Sequence, residues 1–339
     1  MLKKTCRSYA GGSILILTLW SLCLLSTFAV ILGYQVRTNI LLVQRLNERG
    51  KLGLIAEAGV KQAIIQVNKE EDKSYHALKD GWSNNIGVFK DKAVGDGKFN
   101  IHYSLKGEAD LPTQRWGLVD EERKININKI DSVVLKRLFQ IVAGLDEVEA
   151  QELAASIVDW RDSDSESSIP SGSAEDTYYR YLKYPYECKD AEFEILDELS
   201  LVKGVTEKIF MQIKNYVTIY GNGKVNVNTA PLSVLLSLGL SQNVAEKIGL
   251  FRNGPDGLEA TEDDYVFDDA SGITTSLNQH QPLSEAENEQ LHSVAMRYLN
   301  IQSNYFMANS AAQLNNRDTT VQVNSVIDQN GIIFSWQES

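Results

Sequence analysis

Apolar positions along the chain follow three different rules. From Ser13 to Gly33 the run SILILTLWSLCLLSTFAVILG carries no charge. As a helix rising 1.5 Å per residue it spans roughly 30 Å, the thickness of a hydrocarbon core. Beyond it the apolar residues thin to a helical period. Val36, Ile40, Val43, Leu46, Leu54, Ala58 and Ile65 recur near every 3.6 residues, with Arg37, Gln44, Arg45, Glu48 and Lys61 between them. One long helix is expected, apolar all round in its first half and amphipathic in its second.

The rule then changes to period two. In GDGKFNIHYSLKGE (95–108), Phe99, Ile101, Tyr103 and Leu105 alternate with polar residues, the pattern of a half-buried strand. Helical patterning holds from about 125 to 295. Strand patterning returns in NYFMANSAAQL (304–314), TTVQVNSVID (319–328) and GIIFSWQ (331–337), with turns at 315–318 and at Gln329-Asn330-Gly331. The expected fold class is α+β: the second half of the long helix packs on an antiparallel sheet, and a helical region is inserted between its early and late strands.

Two stretches of the helical region are alike. Lys124-Ile-Asn-Ile-Asn-Lys-Ile-Asp-Ser-Val-Val-Leu135 leads to Ala143-Gly144-Leu145, and Lys224-Val-Asn-Val-Asn-Thr-Ala-Pro-Leu-Ser-Val-Leu235 leads to Leu238-Gly239-Leu240. Each reads as a short strand, an asparagine N-cap (Asn128, Asn228), an apolar helix and a glycine turn into another helix, with Pro231 in a first turn. This is a helix-hairpin-helix pattern, and Glu198–Thr206 looks like a third, partial copy. Such units grip nucleic-acid phosphates through a Gly-x-Gly hairpin. Here each hairpin keeps one glycine, and Asp146 and Glu147 put negative charge where a phosphate would sit. A packing motif repeated to build a helical subdomain is the expected role.

Between and after the repeats lie acidic loops. Asp162 and Asp164 stand two apart, and Glu175 and Asp176 follow a Ser/Gly loop able to fold back on them. Clustered carboxylates form either a solvated face or a site for a hard cation such as Ca²⁺, which takes 6–8 oxygens. The spacing is not that of an EF-hand. A second loop, 253–264, carries Asp256, Glu262, Asp263 and Asp264 between Gly-Pro and Asp-Gly turn signals. It is a surface loop or a second cation site.

Composition narrows the function. Net charge is -12, against a duplex nucleic-acid binder whose affinity comes from Lys and Arg on phosphates. Cys6, Cys23 and Cys188 form no disulfide framework. His76, His102, His280 and His292 are not within helical reach of one another. No P-loop, G-x-S-x-G or H-E-x-x-H occurs, and Asp159 with Asp162 lacks a companion base, so no enzyme is expected.

The first twelve residues, MLKKTCRSYAGG, carry Lys3, Lys4 and Arg7 and no acid. Positive charge keeps that end cytoplasmic and sends the rest across the membrane. The apolar run is longer than a signal-peptide h-region and continues as helix, which favours an anchor over a cleaved secretory signal. A helix of this plan behind a glycine-ended leader resembles type IV pilin-like proteins. Gly12/Ser13 matches their prepilin peptidase junction, with Gly11 as an alternative. Most of that family have glutamate where Leu17 stands here; K-type minor pseudopilins of type II secretion typically lack it. Asp159-Trp160-x-Asp162-x-Asp164, the Gly172-to-Tyr179 turn, Pro185-Tyr186, Glu198-Leu-Ser-Leu-Val-Lys-Gly204 and Asn226-Val-Asn-Thr-Ala230 resemble, in order, the signature of the K-type inserted domain. The chain departs at inserted Ser173 and at Asp190, where asparagine is commoner.

The resemblance implies a pilin-like fold with a large inserted α-helical domain containing helix-hairpin-helix-like repeats. Its parts would be a leader (1–12), a transmembrane half-helix (13–33), an amphipathic helix with the first strands (34–124), the insertion (125–295) and the closing strands (296–339). It implies cleavage between Gly12 and Ser13, N-methylation of Ser13, and structural calcium held among Asp162, Asp164, Glu175 and Asp176. It further implies a place at the tip of an inner-membrane pseudopilus with other minor pseudopilins and the major pseudopilin, the bulk of the chain being periplasmic and no nucleic acid involved. The rival readings are a minor pilin of a type IV pilus or DNA-uptake machine and a calcium-stabilised membrane-tethered module.

Overall fold

The structure, a computed structural model, describes residues 11–69, 73–106, 112–169, 172–315 and 319–339. Lys3, Lys4 and Arg7 of the leader lie outside these. Gly12 and Ser13, the expected cleavage junction, fall at the start of the first helix, α1 (Gly11–Lys69). The chain forms two compact units that divide between Leu54 and Ile55.

The first unit is the leading part of α1. Every large apolar side chain from Ile14 to Leu46 is exposed, Leu17 among them. Its few hydroxyls turn back on the helix: Thr18 donates to the Leu15 carbonyl, Ser21 to Leu17, Ser26 to Leu22, Thr27 to Cys23 and Thr38 to Tyr34, at 2.7–2.9 Å. A helix with apolar surface and polar groups satisfied within itself is what a bilayer interior requires. The helix is long and apolar enough to cross a membrane.

In the second unit Ala56, Val60, Ala63 and Val67 form a buried stripe at helical spacing. A short helix, α2 (Ile86–Phe89), precedes strands β1 (Lys92–Val94) and β2 (Gly97–Ile101); β3 (Tyr103–Lys106), β4 (Pro112–Arg115) and β5 (Val119–Asp120) follow. The strand expected over 98–106 is broken at His102. Up to Ile101 it belongs to the main sheet, and β3 leaves to pair with β4 in a separate ribbon.

The inserted region begins with β6 (Ile125–Asn126) and α3 (Ser132–Leu138), which continues as a π turn to Ala143 and stops at Gly144, φ +67°. Next come α4 (Glu147–Arg161), α5 (Asp176–Tyr179), α6 (Glu207–Ile213) and β7 (Val217–Thr218), which lies parallel to β6. The second repeat brings β8 (Val225–Asn226), α7 (Leu232–Ser237) and α8 (Gln242–Arg252), then α9 (Ile273–His280), α10 (Glu285–Tyr298) and β9 (Leu299–Asn300), parallel to β8. One hydrophobic core holds this region together, from Ile125 to Ile301. That core runs past 295 to Leu299 and Ile301, where β9 pairs β8. The third hairpin is present: Gly204, φ +88°, turns the chain toward Thr206, which caps α6.

The chain then returns as β10 (Tyr305–Leu314), β11 (Thr320–Asp328) and β12 (Ile333–Glu338). The main sheet runs β1-β2-β10-β11-β12, all antiparallel, with β5 pairing the start of β10. Along β10 alternate residues are buried, the period the sequence carries. Gly59 of α1 permits close approach to β10: a Cβ there would sit 2.2 Å from Ser310 Oγ.

The repeats are structural duplicates, but their asparagines do not cap helices. Asn126 and Asn226 accept hydrogen bonds from the amides of Asn128 and Asn228, at 2.9 and 3.0 Å. Asn128 then bonds both backbone groups of Phe193, and Asn228 both of Phe267. The side-chain amide imitates a strand and ties a distant loop to each repeat. Asp131 takes the cap of α3, and Pro231 occupies the corresponding place before α7.

Candidate metal centre

Each repeat closes with an arginine at the end of its second helix, followed by an acidic loop. Arg161 donates to the Ile130 carbonyl, and Arg252 to those of Val227 and Ala230. The loop after Arg161 holds Asp162, Asp164 and Glu175; the loop after Arg252 holds Asp256, Asp263 and Asp264. In each triad, one ligand oxygen per residue lies within 4.8 Å of the others.

The first loop is folded by its own chain. Buried Asp159 accepts from the Ser168 amide through both oxygens, and Lys203 Nζ donates to the Gly172 carbonyl at 2.9 Å. Trp160, Tyr179 and Tyr186 pack together beside it. These contacts bring Glu175, before α5, against Asp162, which ends α4.

Two oxygens of the triad, Asp162 Oδ1 and Glu175 Oε1, are buried without a hydrogen-bond partner. Buried carboxylate oxygens of this kind call for a proton or a cation. Burial, then Asp159, pushes the Glu175 carboxyl up to about 7. Burial, then Asp164 and Asp159, pushes Asp162 up to about 6. Cys188 and Asp190 also lie within 4.8 Å of Glu175, and burial, then Glu175, raises the Cys188 thiol. A thiol held protonated is a poor metal ligand, so the donors on offer are carboxylate oxygens, which suit a hard divalent cation.

Asp176 stands apart from this triad. Its Oδ1 accepts from the Cys188 amide at 2.8 Å and its Oδ2 from Arg180 at 2.7 Å, so it orders the loop. Cys188 and Asp190 carry no spacing that marks them as neighbours of Glu175. Only the fold brings them there, with the Asp190 amide bonded to the Trp160 carbonyl.

The second triad is already supplied with donors. Asp263 accepts from the Asp256 amide, Asp264 from the Ala260 amide, and Thr261 Oγ1 donates to both Asp263 and Asp264 at 2.7 and 2.9 Å. Glu262 is exposed and outside it. Glu259, in the same loop, bridges Arg115 and Arg252 at 2.7 and 3.1 Å, and these guanidiniums hold its carboxyl below the usual range.

The hairpin at Gly239 is closed to a phosphate. Gln290 Oε1 accepts from the Ser241 amide and its Nε2 donates to the Gly239 carbonyl, while the Gly239 and Leu240 amides bond back to Leu236 and Leu235.

A half-exposed helix leading into an antiparallel sheet, whose strands are separated by a helical domain with an acidic loop, defines a pilin-like protein with a large insertion. Residues 97–222 match the family model described as type II secretion system protein K. The type II secretion system protein K of Aeromonas hydrophila is 29% identical over 205 residues, 58% of this chain and 58% of that protein. A putative type II secretion system protein K of Escherichia coli K12 is 26% identical over 132 residues, 35% of this chain and 39% of that one. These alignments span less than two thirds of either relative. The fold is similar to a chain in the crystal structure of the GspK-GspI-GspJ complex of enterotoxigenic Escherichia coli, with TM-score 0.61, 16% identity, and coverage of 87% of this chain and 97% of that one. What the chain shares with that family is shown over residues 97–222.

Proposed function

We propose that the protein is a minor pseudopilin at the tip of a type II secretion pseudopilus, where it starts or caps the filament that drives export across the outer membrane. Its role is structural and not catalytic. The observation that carries this reading is the insertion of a complete domain, with its own core from Ile125 to Ile301, between β5 and β10 of a pilin-like sheet. Pilin-like subunits stack through their N-terminal helices, and a subunit with a second domain leaves no room for a further neighbour on that side. The relative of similar fold was crystallised with GspI and GspJ. Equivalent minor pseudopilins are the partners of this chain, and the major pseudopilin continues the filament.

In this reading α1 crosses the inner membrane with Lys3, Lys4 and Arg7 in the cytoplasm. Prepilin peptidase cuts between Gly12 and Ser13, and Ser13 is then N-methylated. Leu17 suits an end position, since a tip subunit has no neighbour beyond it whose N-terminal amine needs an acid. Calcium is held by Asp162, Asp164 and Glu175, with Asp176 bracing the loop.

Mass spectrometry of the protein from secreting cells, with immunogold labelling of sheared filaments, tests the assignment. The expected chain begins at methylated Ser13 and the label sits at filament ends. An intact Met1, or label spread along filament flanks, would overturn it.

A further inference from the structure

Arg137 has no hydrogen-bond or ion-pair partner among the described residues, although it is half-buried. It lines a cavity of about 420 Å³ between α3, the Gly239 hairpin and α10, together with Asp131, Val133, Leu238, Val294 and Arg297. Its position depends on Gly239, φ +106°: a Cβ there would lie 2.6 Å from Arg137 Nη1. The guanidinium therefore lies against the hairpin with its donors unspent.

The other charges facing the cavity are accounted for. Asp131 accepts from Arg297 at 3.0 Å, from the Tyr298 hydroxyl at 2.5 Å and from the Val134 amide at 3.0 Å. Arg297 and Arg137 both act electrostatically on Tyr298, so the two guanidiniums share one neighbourhood. With Asp131 matched to Arg297, Arg137 leaves the cavity one positive charge in excess. The wall beside it is apolar: Val133, one turn earlier on α3, is 52% exposed, and Leu238 and Val294 are buried beneath.

We propose that this cavity is a docking site for an acidic segment of a partner polypeptide, with a carboxylate side chain received by the fork of Arg137 and an apolar neighbour covering Val133. A guanidinium favours a planar carboxylate through paired, charge-assisted hydrogen bonds. Phosphate is the competing oxyanion, but the observations favour a peptide. The hairpin amides that would seat a phosphate are taken by Gln290 and by the chain itself, and Asp131 repels the second negative charge that a phosphate carries and a single carboxylate lacks. This site is separate from the acidic triads and does not depend on where the protein sits in a filament.

The test uses the full chain in detergent micelles, labelled with ¹⁵N-arginine. The Arg137 side-chain resonance is assigned by its loss in Arg137→Lys. The probes are acetyl-Leu-Glu-Leu-amide, its glutamine analogue, inorganic phosphate and a short DNA duplex. The expected result is a saturable shift of the Arg137 resonance with the glutamate peptide and none with the glutamine one. Binding should weaken about tenfold in Arg137→Gln, the size of one charge-assisted contact, and less in Arg297→Gln. Arg137 makes no internal bond, so the variants should melt with the parent; should Arg137→Gln melt early, Arg137→Lys carries the comparison, with weakened but charge-dependent binding. Equal binding of the two peptides, undiminished binding in both Arg137 variants, or tighter binding of phosphate or DNA would overturn the proposal.

Discussion

The two asparagine repeats share a backbone plan and differ in what their first asparagine touches. Asn126 gives its amide hydrogens to the carbonyls of Tyr220 and Gly221, within the helical domain. Asn226 shares its two amide hydrogens among the His76 carbonyl, Asp120 and Ser303. Thr229, where the first repeat has exposed Lys129, adds a bond to Asp120. Asp120 is the last residue of β5, buried, its carboxyl raised by burial against the pull of Thr229 and Ser303. One copy is therefore internal furniture, and the other fastens the insertion to the sheet at both its departure and its return. The same loop occurs twice, and burial beside the sheet makes one of them a joint.

The sharpest way to break this symmetry is to truncate each asparagine. Asn226→Ala strands several buried polar groups and should cost about 4 kcal/mol, whereas Asn126→Ala should cost about 2 kcal/mol. Urea unfolding of the two variants measures the gap, and equal losses would remove the distinction drawn between the repeats. Next come the helix-end arginines. Arg252 is buried and also pairs with Glu259, so Arg252→Gln should lose about 3 kcal/mol, and Arg161→Gln about 1 kcal/mol.

The acidic loops offer a third contrast. Glu175 and Asp162 have carboxyls raised in the folded state, to about 7 and about 6. Their contribution to the metal-free protein is thus full at low pH and lost as pH rises through 6 to 7. Calcium needs the ionised forms. Its stabilisation should grow over the same window, to about 2 kcal/mol at a concentration some thirty times Kd. Thermal melts at pH 5.5 and 8, with and without calcium, check this. Asp162→Ala with Glu175→Ala should flatten both trends, and Asp263→Ala with Asp264→Ala should leave them largely intact. The hairpin glycines give the smallest difference. A Cβ at Gly144 meets nothing, while one at Gly239 strikes Arg137. Alanine should cost about 1 kcal/mol at the first and about 1.5 kcal/mol at the second, read from melting curves.

What the sequence disclosed was whatever obeys a local period or a local spacing. The anchor, the closing strands with their Gly331 turn, the two repeats and the acidic runs all fall in that group. On α1 the expected stripe took in Leu54 and Ile65, which are exposed, because the large apolar residues there are not the ones the sheet covers; the other misreadings come from partners far along the chain. Asn128 and Asn228 looked like caps because their true partners, Phe193 and Phe267, lie far along the chain. The strand from residue 98 was drawn through His102, since alternation does not reveal that β10 pairs β2 only as far as Ile101. At the candidate metal centre, Asp162, Asp164 and Glu175 were legible as clustered acids. The turning away of Asp176 and the arrival of Cys188 and Asp190 depend on how the 172–190 segment folds over Trp160. Asp120, the joint between sheet and insertion, had no pattern to mark it.

Thr18, Ser21, Ser26, Thr27 and Thr38 of α1 bond to carbonyls three or four residues earlier on their own helix. Such a rod can spin about its axis or slide along lipid or sister rods without surrendering a polar contact. Friction against its surroundings then comes from shape alone.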